Sequence, residues 1–340
     1  MRKGFNPNKN KKTSELDYFH QVIIPVYIPS NIGYFKESLD ILKLTIQSLL
    51  NTSHEKTFVT IVNNGSNQEV YIYLESLLIS NKIHEVIHTT NIGKINAILK
   101  GIAGHNFPLI TISDADVLFL NNWQKETYAV FEAFPKTGFV SPCPIPKLVK
   151  YYTYNIIVDT LFSKQVKFTK VKNSDALSSF AKSIGNPNFY NQHHLDQYLT
   201  INNNKFKAVI GGGHFVGTYR SDVFKDINQR YSEFSLGGTS EIDFLDKPIV
   251  ENGFWRLSTN DNYVYHMGNT LEGWFDKIVI EKKIASDFKK NEMPNLEPVK
   301  NIKIINWIKN RIFHLFISRE IIWKKYLKFK GLNKNAANNY

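Results

Sequence analysis

Apolar and polar positions come in alternating blocks along the first 120 or so residues, and the block lengths predict strands and helices in turn. The run QVIIPVYIP (21–29) reads as a buried strand interrupted by proline. ESLDILKLTIQSLLN (37–51) carries apolar residues at helical spacing, and FVTIVNNGS (58–66) is a strand running into a turn. VYIYLESLLIS then reads as a helix, HEVIHTTN as a short strand, GKINAILKGIAG as a helix punctuated by glycine, and FPLITISDAD as a further strand. This alternation predicts an α/β fold with a Rossmann-like, mostly parallel sheet flanked by helices, and ligands at the carboxyl ends of its strands. The clusters Asn63-Asn64-Gly65-Ser66, Asn91-Ile92-Gly93-Lys94 and Ser113-Asp114-Ala115-Asp116 all fall at those ends. Three loops thus converge on one edge.

The second half is less regular. Residues 146–207 are polar in places (KNSDALSSF, GNPNFYNQHHLDQY) and read as an insertion or variable lobe, whereas KAVIGGGHFVGTYRSDVF reads as a strand, a glycine turn and a helix start. NEMPNLEP is a proline-bearing linker before a basic tail. The pattern divides the chain into 1–19, 20–145, 146–290 and 291–340.

Composition narrows the class. The 340 residues include 24 Phe and 17 Tyr, enough apolar area for a full core. The single cysteine, Cys143, excludes an internal disulfide or a cysteine-built zinc site and points to a reducing compartment. The net charge of +12 is concentrated at the ends: residues 1–12 hold five Lys/Arg and no acid, and 301–340 hold nine with one acid, leaving 28 basic against 29 acidic residues between. Such a distribution argues against a nucleic-acid-binding body and for tails that meet an anionic surface. The basic start is followed by no long apolar stretch, and no apolar run approaches the roughly 20 residues that span a bilayer. The expectation is a cytoplasmic protein, free or peripheral on the inner face of the cell membrane.

The pair Asp114 and Asp116 ends an apolar strand. Carboxylates at i and i+2 around a tight bend suit a hard cation such as Mg²⁺ or Mn²⁺, whose shell is completed by phosphate oxygens and water. A bare Asp-x-Asp also serves to cap a turn or a helix. Its delivery to the ligand edge of a parallel sheet favours the cation.

Read in order, VIIPVYIP, VNNGS, TNIGKINAILKG, ISDADVLF, GGGHFVGTYRSDVF, GGTSEIDFLDKPIVENGFWRL and YVYHMG resemble glycosyltransferase family 2, the inverting enzymes of the GT-A fold, over roughly residues 20–270. The resemblance implies a nucleotide-sugar-binding half at 20–145, an acceptor-binding and catalytic half at 146–290, and a basic helical tail at 291–340. On the donor side it implies that Pro25 and Tyr27 line the nucleotide entrance and that Asn63 and Asn64 contact the base. The resemblance favours a UDP-sugar, but acidic residues are usual at that place and an amide offers both acceptor and donor, a departure that leaves other bases open. Asn91, Gly93 and Lys94 match the loop beside the nucleotide, with Lys94 meeting a phosphate or lying solvated at the helix start.

The resemblance further makes Asp116 the direct ligand of Mn²⁺ or Mg²⁺, with Asp114, across Ala115, toward ribose or a metal-bound water. His266 stands where relatives place another metal ligand, although a histidine in an apolar strand is also a common hydrogen-bonded core residue. Gly212, Gly213 and His214 fall in the acceptor segment. Direct displacement at the anomeric carbon needs a base for the acceptor hydroxyl, and SEIDF offers Glu241 first and Asp243 second. Aligned on Phe244, the family's first acidic position is Ser240, a departure that leaves the register open.

Other features carry less. IGGGHFVG looks like a dinucleotide fingerprint but follows the alternating half and reads better as a turn for close acceptor approach. His193-His194 with Asp196 reads as a surface loop rather than a metal site. The tail from Asn301 has Ile305, Ile308, Ile312, Leu315, Phe316, Ile322, Trp323 and Leu327 near helical spacing among basic residues. Such a helix either lies on an anionic membrane or packs on the domain. The expected activity is metal-dependent inverting transfer of a sugar from a nucleoside-diphosphate donor to a hydroxyl of a glycan or lipid-linked glycan, in surface polysaccharide or lipopolysaccharide synthesis. The rivals are a sugar-phosphate nucleotidyltransferase and a non-catalytic glycan- or membrane-binding protein.

Overall fold

The computed structural model describes residues 4–12, 17–203, 205–225, 227, 230–275, 278 and 293–340. The expected boundary at 290/291, part of the basic start and the first two linker residues lie outside them. The strands are β1 His20–Val26, β2 Thr57–Asn64, β3 Glu85–Thr89, β4 Leu109–Ser113, β5 Val117–Phe119, β6 Thr137–Ser141, β7 Val166–Lys170, β8 Gln197–Asn202, β9 Lys207–Ile210, β10 Val216–Arg220, β11 Trp255–Ser258 and β12 Val264–His266. The α-helices are α1 Ser38–Thr52, α2 Gln68–Ile79, α3 Lys94–Ile102, α4 Trp123–Ala133, α5 Tyr154–Asp159, α6 Ser174–Ser183, α7 Gln192–Asp196, α8 Lys247–Glu251, α9 Lys303–Ile312, α10 Glu320–Phe329 and α11 Lys334–Asn339.

Ten strands form one sheet in the order β3-β2-β1-β4-β10-β6-β11-β9-β8-β7. The first four are parallel, as their near-continuous apolar runs require: Val22, Ile23, Ile24 and Val26 of β1 and the whole of β2 are buried between helical layers. β10 then pairs antiparallel to β4 and joins the second half to the first.

Residues 146–207 are not an irregular lobe. They contribute α5 to α7 and the antiparallel strands β7 and β8, which extend the sheet to its far edge. VKFTK and QYLTIN each alternate a buried face with a more exposed or polar one over a few residues, too short a pattern to stand out from loop. The glycine turn at 211–213 leads into β10, and only a 3₁₀ turn, Ser221–Phe224, follows it. His193-His194 lies in α7 rather than in a surface loop. His194 is buried, it accepts from the Asn191 N–H at 3.4 Å while its own N–H donates to Asn191 Oδ1, and burial pulls its pKa down to about 4.

A polar cluster sits inside the first half. His20 Nε2 meets Thr111 Oγ1 and His20 Nδ1 meets the Tyr128 hydroxyl, both at 2.7 Å, and Tyr128 also meets His54 Nε2. Burial, reinforced by neighbouring His54, holds the His20 pKa well below its ordinary value. The native state therefore binds fewer protons here than the unfolded chain does, and stability present above the ordinary histidine range is lost as pH falls through it. The melting temperature is expected to drop between about pH 7.5 and about pH 5.5, each such histidine contributing up to about 1.4 kcal/mol per pH unit. His20→Gln, which cannot take the proton, should lower stability at neutral pH but make the acid slope shallower; an unchanged slope would contradict the assignment.

Candidate functional site

The carboxyl ends of β1, β2 and β4 open into a cleft of about 520 Å³. Pro25, Tyr27, Asn64, Asn91, Lys94, Asp114, Ala115 and Asp116 line it, so eight of the ten positions expected on the donor side share one cavity. Asn63 is placed differently. It is buried, its carbonyl accepts from the Ser66 N–H and its amide nitrogen meets His88 Nδ1 at 2.9 Å, so the side chain shapes the turn after β2. Asn64 reaches the cleft while its carbonyl accepts from the Ile92 N–H at 2.9 Å, tying the β2 loop to the β3 loop.

Gly93 is fixed by geometry. Its φ is +89°, and a Cβ there would lie 3.0 Å from both the Phe234 carbonyl oxygen and Ser235 Cα. That close approach lets the Lys94 N–H donate to the Ser235 carbonyl and brings Ser235 and Leu236 over the cleft. The loop is held again by Asn96, whose amide donates to the Ser232 carbonyl and whose own oxygen accepts from the Ser232 N–H. The sequence reading did not include Asn96, Ser235 or Leu236; a polar Asn on the otherwise apolar face of α3 is the signal that was there.

The Asp114-Ala115-Asp116 turn is pinned from three sides. The Asp114 N–H donates to the Phe215 carbonyl (2.8 Å), Thr45 Oγ1 of α1 donates to the Ala115 carbonyl (2.9 Å), and the Asp116 carbonyl accepts from the Met267 N–H (2.7 Å). Asp114 pairs with Lys94 at 2.5 Å. Burial alone would favour a neutral amine, but Asp114 beside it, with Glu241 and Asp116 acting from farther off, raises the Lys94 pKa above its ordinary value. Glu241 therefore lies within the electrostatic reach of the donor cleft.

β12 pairs antiparallel with β5, setting His266 opposite Val117 and hence next to Asp116. Ser183 Oγ donates to the Phe180 carbonyl, so toward His266 Nδ1, 2.9 Å away, it is left to accept. His266 Nε2 in turn faces Asp116 Oδ2 at 3.4 Å. Asp116 Oδ1 is buried with no hydrogen-bond partner. Burial raises the Asp116 pKa to about 6, with His266 opposing the shift and Asp114 adding to it. An imidazole nitrogen and a carboxylate, with one carboxylate oxygen left orphaned, are ligand types that fit a cation. Among the described residues no group of three or more His, Cys, Asp or Glu is arranged to hold a metal ion. Asp116 and His266 would thus supply two ligands and leave the remaining positions to phosphate and water.

The segment 240–251 is helical with one π-type turn, Ile242–Asp246, of the kind that adds a residue to the helix and often marks a functional position. Glu241 accepts a hydrogen bond from the Ser240 hydroxyl at 3.1 Å. Asp243 is held by Lys247 and Thr239, which keep its pKa below the usual carboxylate range, and it lines a separate cleft of about 430 Å³ with Glu251, Lys303 and Trp307. Asp243 thus faces a second cleft, whereas Glu241 acts electrostatically on Lys94 of the first.

Behind them lies a largely buried constellation, of whose side chains the sequence reading included only His214. Asp246, fully buried, bonds Arg256 Nη1 at 2.5 Å and the Tyr151 hydroxyl at 2.8 Å, and faces His214 Nδ1 at 3.4 Å. Burial would raise its pKa, but Arg256, then His214 and Tyr151, bring it below the ordinary value. Arg256 Nε also donates to the Gly212 carbonyl, which fixes the glycine loop. A Cβ on Gly213 would sit 2.5 Å from Ile145 Cδ1, so this glycine is demanded by packing beneath the loop, and His214 is the side chain left partly open. An acid and an arginine each embedded in apolar runs, FLDKPIV and GFWRLS, were the available signal.

The sequence matches the family model described as Glycosyl transferase family 2 over residues 21–227. No curated protein matches it. Among solved structures, the fold is similar to S. aureus TarS 1-349 at 14 % identity with a TM-score of 0.44, covering 73 % of this chain and 60 % of that one. It is similar also to the mannosyltransferase PcManGT from Pyrobaculum calidifontis at 12 % identity and a TM-score of 0.40, covering 74 % of this chain and 59 % of that one. This chain thus spans about three fifths of the length of these neighbours. TarS 1-349 has been solved in complex with UDP, and PcManGT with GDP-Man and Mn²⁺.

Asp116→Asn removes a carboxylate that burial disfavours and that has no partner for one oxygen. It is expected to leave the melting temperature of the ligand-free protein unchanged or to raise it by about 1–3 °C. A drop of more than about 4 °C in differential scanning calorimetry would show instead that Asp116 is a structural residue.

Proposed function

The chain belongs to glycosyl transferase family 2, and from that premise we propose that it transfers a sugar, with inversion, from a nucleoside-diphosphate donor to a hydroxyl of a glycan or lipid-linked glycan. The observation that carries this reading is the meeting of Asp116 and His266 beside an orphaned buried oxygen at the mouth of a cleft large enough for a nucleotide. Pro25, Tyr27 and Asn64 would bind the nucleoside. The amide of Asn64 can match uracil, which favours a UDP-sugar, and the same amide can meet other bases. Asp116 and His266 would hold Mn²⁺ or Mg²⁺, with Asp114 toward ribose or a bound water. When bound, the ion supplies Lewis-acid stabilisation of charge on the departing diphosphate.

The chain's own residues supply the rest. Lys94 keeps its ammonium charged inside the cleft and offsets part of the negative charge of the ligand and of Asp114. Glu241 takes the proton of the acceptor hydroxyl as that oxygen attacks the anomeric carbon and the bond to diphosphate breaks. Its preference over Asp243 rests on orientation: Glu241 acts on Lys94, whereas Asp243 is engaged by Lys247 and faces the other cleft. Asp246 is a positioning residue, holding His214 and Arg256 under the acceptor loop. A role in surface polysaccharide or lipopolysaccharide synthesis follows from the family alone.

The test is turnover of a nucleotide-sugar donor with a glycan acceptor in two variants. Glu241→Gln is expected to lower kcat by about 10²–10⁴ with donor affinity nearly unchanged, and Asp243→Asn to stay within about tenfold of the parent. If Asp243→Asn is the inactive variant and Glu241→Gln the active one, the base has been assigned to the wrong face of the helix.

A further inference from the structure

The C-terminal helices pack on the domain in an inverted sense. α9 meets the body through polar groups: Asn306 donates to the Glu251 carbonyl and to Asn301, and Lys309 pairs with Asp159 at 2.6 Å. Only from Phe313 onward does the buried side become apolar, with Phe313, Ile317, Trp323 and Leu327 entering the core. These polar pins turn the apolar side of α9 to solvent. Ile304 is 67 % exposed, Trp307 59 % and Phe316 63 %, and Ile308 and Ile312 continue the stripe one helical turn apart. Ile321 of α10 is also exposed, at 72 %. A helix evolved only to pack on its own domain would place these residues inward; a contiguous apolar face left outward marks a contact with something else.

Charge identifies the partner. Lys303, Arg311, Arg319, Lys325 and Lys328 are all exposed on the same helices, and the lone acid, Glu320, is paired with Lys324. Arg311 lies over the Trp307 ring at 5.3 Å, which holds an aromatic body and a cation side by side at the edge of the stripe. A second copy of the chain would set two such cationic rims against each other. No helix among the described residues is long and apolar enough to cross a membrane. We propose that the outward face of α9 and α10 is a docking surface for a bilayer containing anionic lipid, lying in the interface with its isoleucines in the acyl boundary and its cations at the headgroups.

The surface stands independently of the transferase chemistry, but one consequence rests on it. α9 also walls the cleft shared by Asp243, Pro248 and Glu251, next to the helix that carries Glu241. Docking would bring this face of the domain, and with it the helix that carries Glu241, to the lipid boundary, where a lipid-linked acceptor is presented.

The experiment is flotation of the full chain with vesicles of phosphatidylcholine alone and of phosphatidylcholine with phosphatidylglycerol. Binding should be roughly tenfold or more stronger with the anionic vesicles and should weaken with added salt. I308S/I312S/F316S and K325E/K328E should each reduce binding to anionic vesicles by about tenfold or more while far-UV circular dichroism and melting temperature stay at the parent values. Absence of flotation with anionic vesicles overturns the proposal, as does flotation indifferent to both variants. A dimer in light scattering that I308S/I312S/F316S dissociates also overturns it, because the face is then covered by a second copy. Nucleotide binding measured on the same samples separates failure of this surface from failure of the donor site.

Discussion

The site depends on one constraint, the fastening of the turn after β4. A turn at the end of a strand is free to move unless its backbone groups are satisfied by rigid neighbours. Here Phe215, Thr45 and Met267 bond Asp114, Ala115 and Asp116 in succession, each from a different element. These three bonds join the glycine loop, α1 and the end of β12 to the same three residues. Two carboxylates are thereby held at a fixed spacing where burial makes one of them costly to ionise, an arrangement that stability alone would not select.

The second half of the chain is built to meet that turn. β10 runs antiparallel beside β4, with Val216 opposite Ser113, so the loop before β10 is delivered to the Asp114 side of the cleft. β12 pairs with β5 and brings His266 to Asp116 from the other side. Beneath the loop, Asp246 and Arg256 form a buried ion pair whose remaining groups are taken up by Tyr151, His214 and the Gly212 carbonyl. A buried pair contributes geometry more than net stability, and removing one partner is costly because it strands the other. This network fixes the glycine loop relative to the helix that carries Glu241.

Much of this was legible in the sequence, and the limits have physical causes. The parallel core of the GT-A-type fold could be read because its strands are buried on both faces and appear as unbroken apolar runs. β7 and β8 could not, because β7 is a short edge strand with exposed positions and β8 mixes polar and apolar residues over only six positions, so both resemble loops. The cleft at the strand ends was legible because strand ends collect polar residues in order; Asn63 escaped because sequence position does not tell whether an amide points into a cleft or closes its own turn. In the sequence, register alone ranks Glu241 above Asp243; the π-type turn at Ile242–Asp246 is a feature that nothing in SEIDF announces. In the tail, helical spacing identified the apolar residues but not their destination: Trp323 and Leu327 are buried, whereas Ile305, Ile308 and Phe316 are exposed.

The central claim is that the cleft beside Asp116 binds a nucleoside diphosphate together with a divalent ion. The most direct measurement is the thermal stability of the unmodified protein with UDP, GDP, ADP or CMP, each in Mn²⁺ or in EDTA. A ligand that binds only the native state stabilises it by about 2.7 kcal/mol at a hundredfold excess over Kd, a shift of several degrees. The account predicts such a shift for one nucleoside diphosphate, UDP by preference, in Mn²⁺ and its loss in EDTA. No shift with any nucleotide in either condition would contradict it.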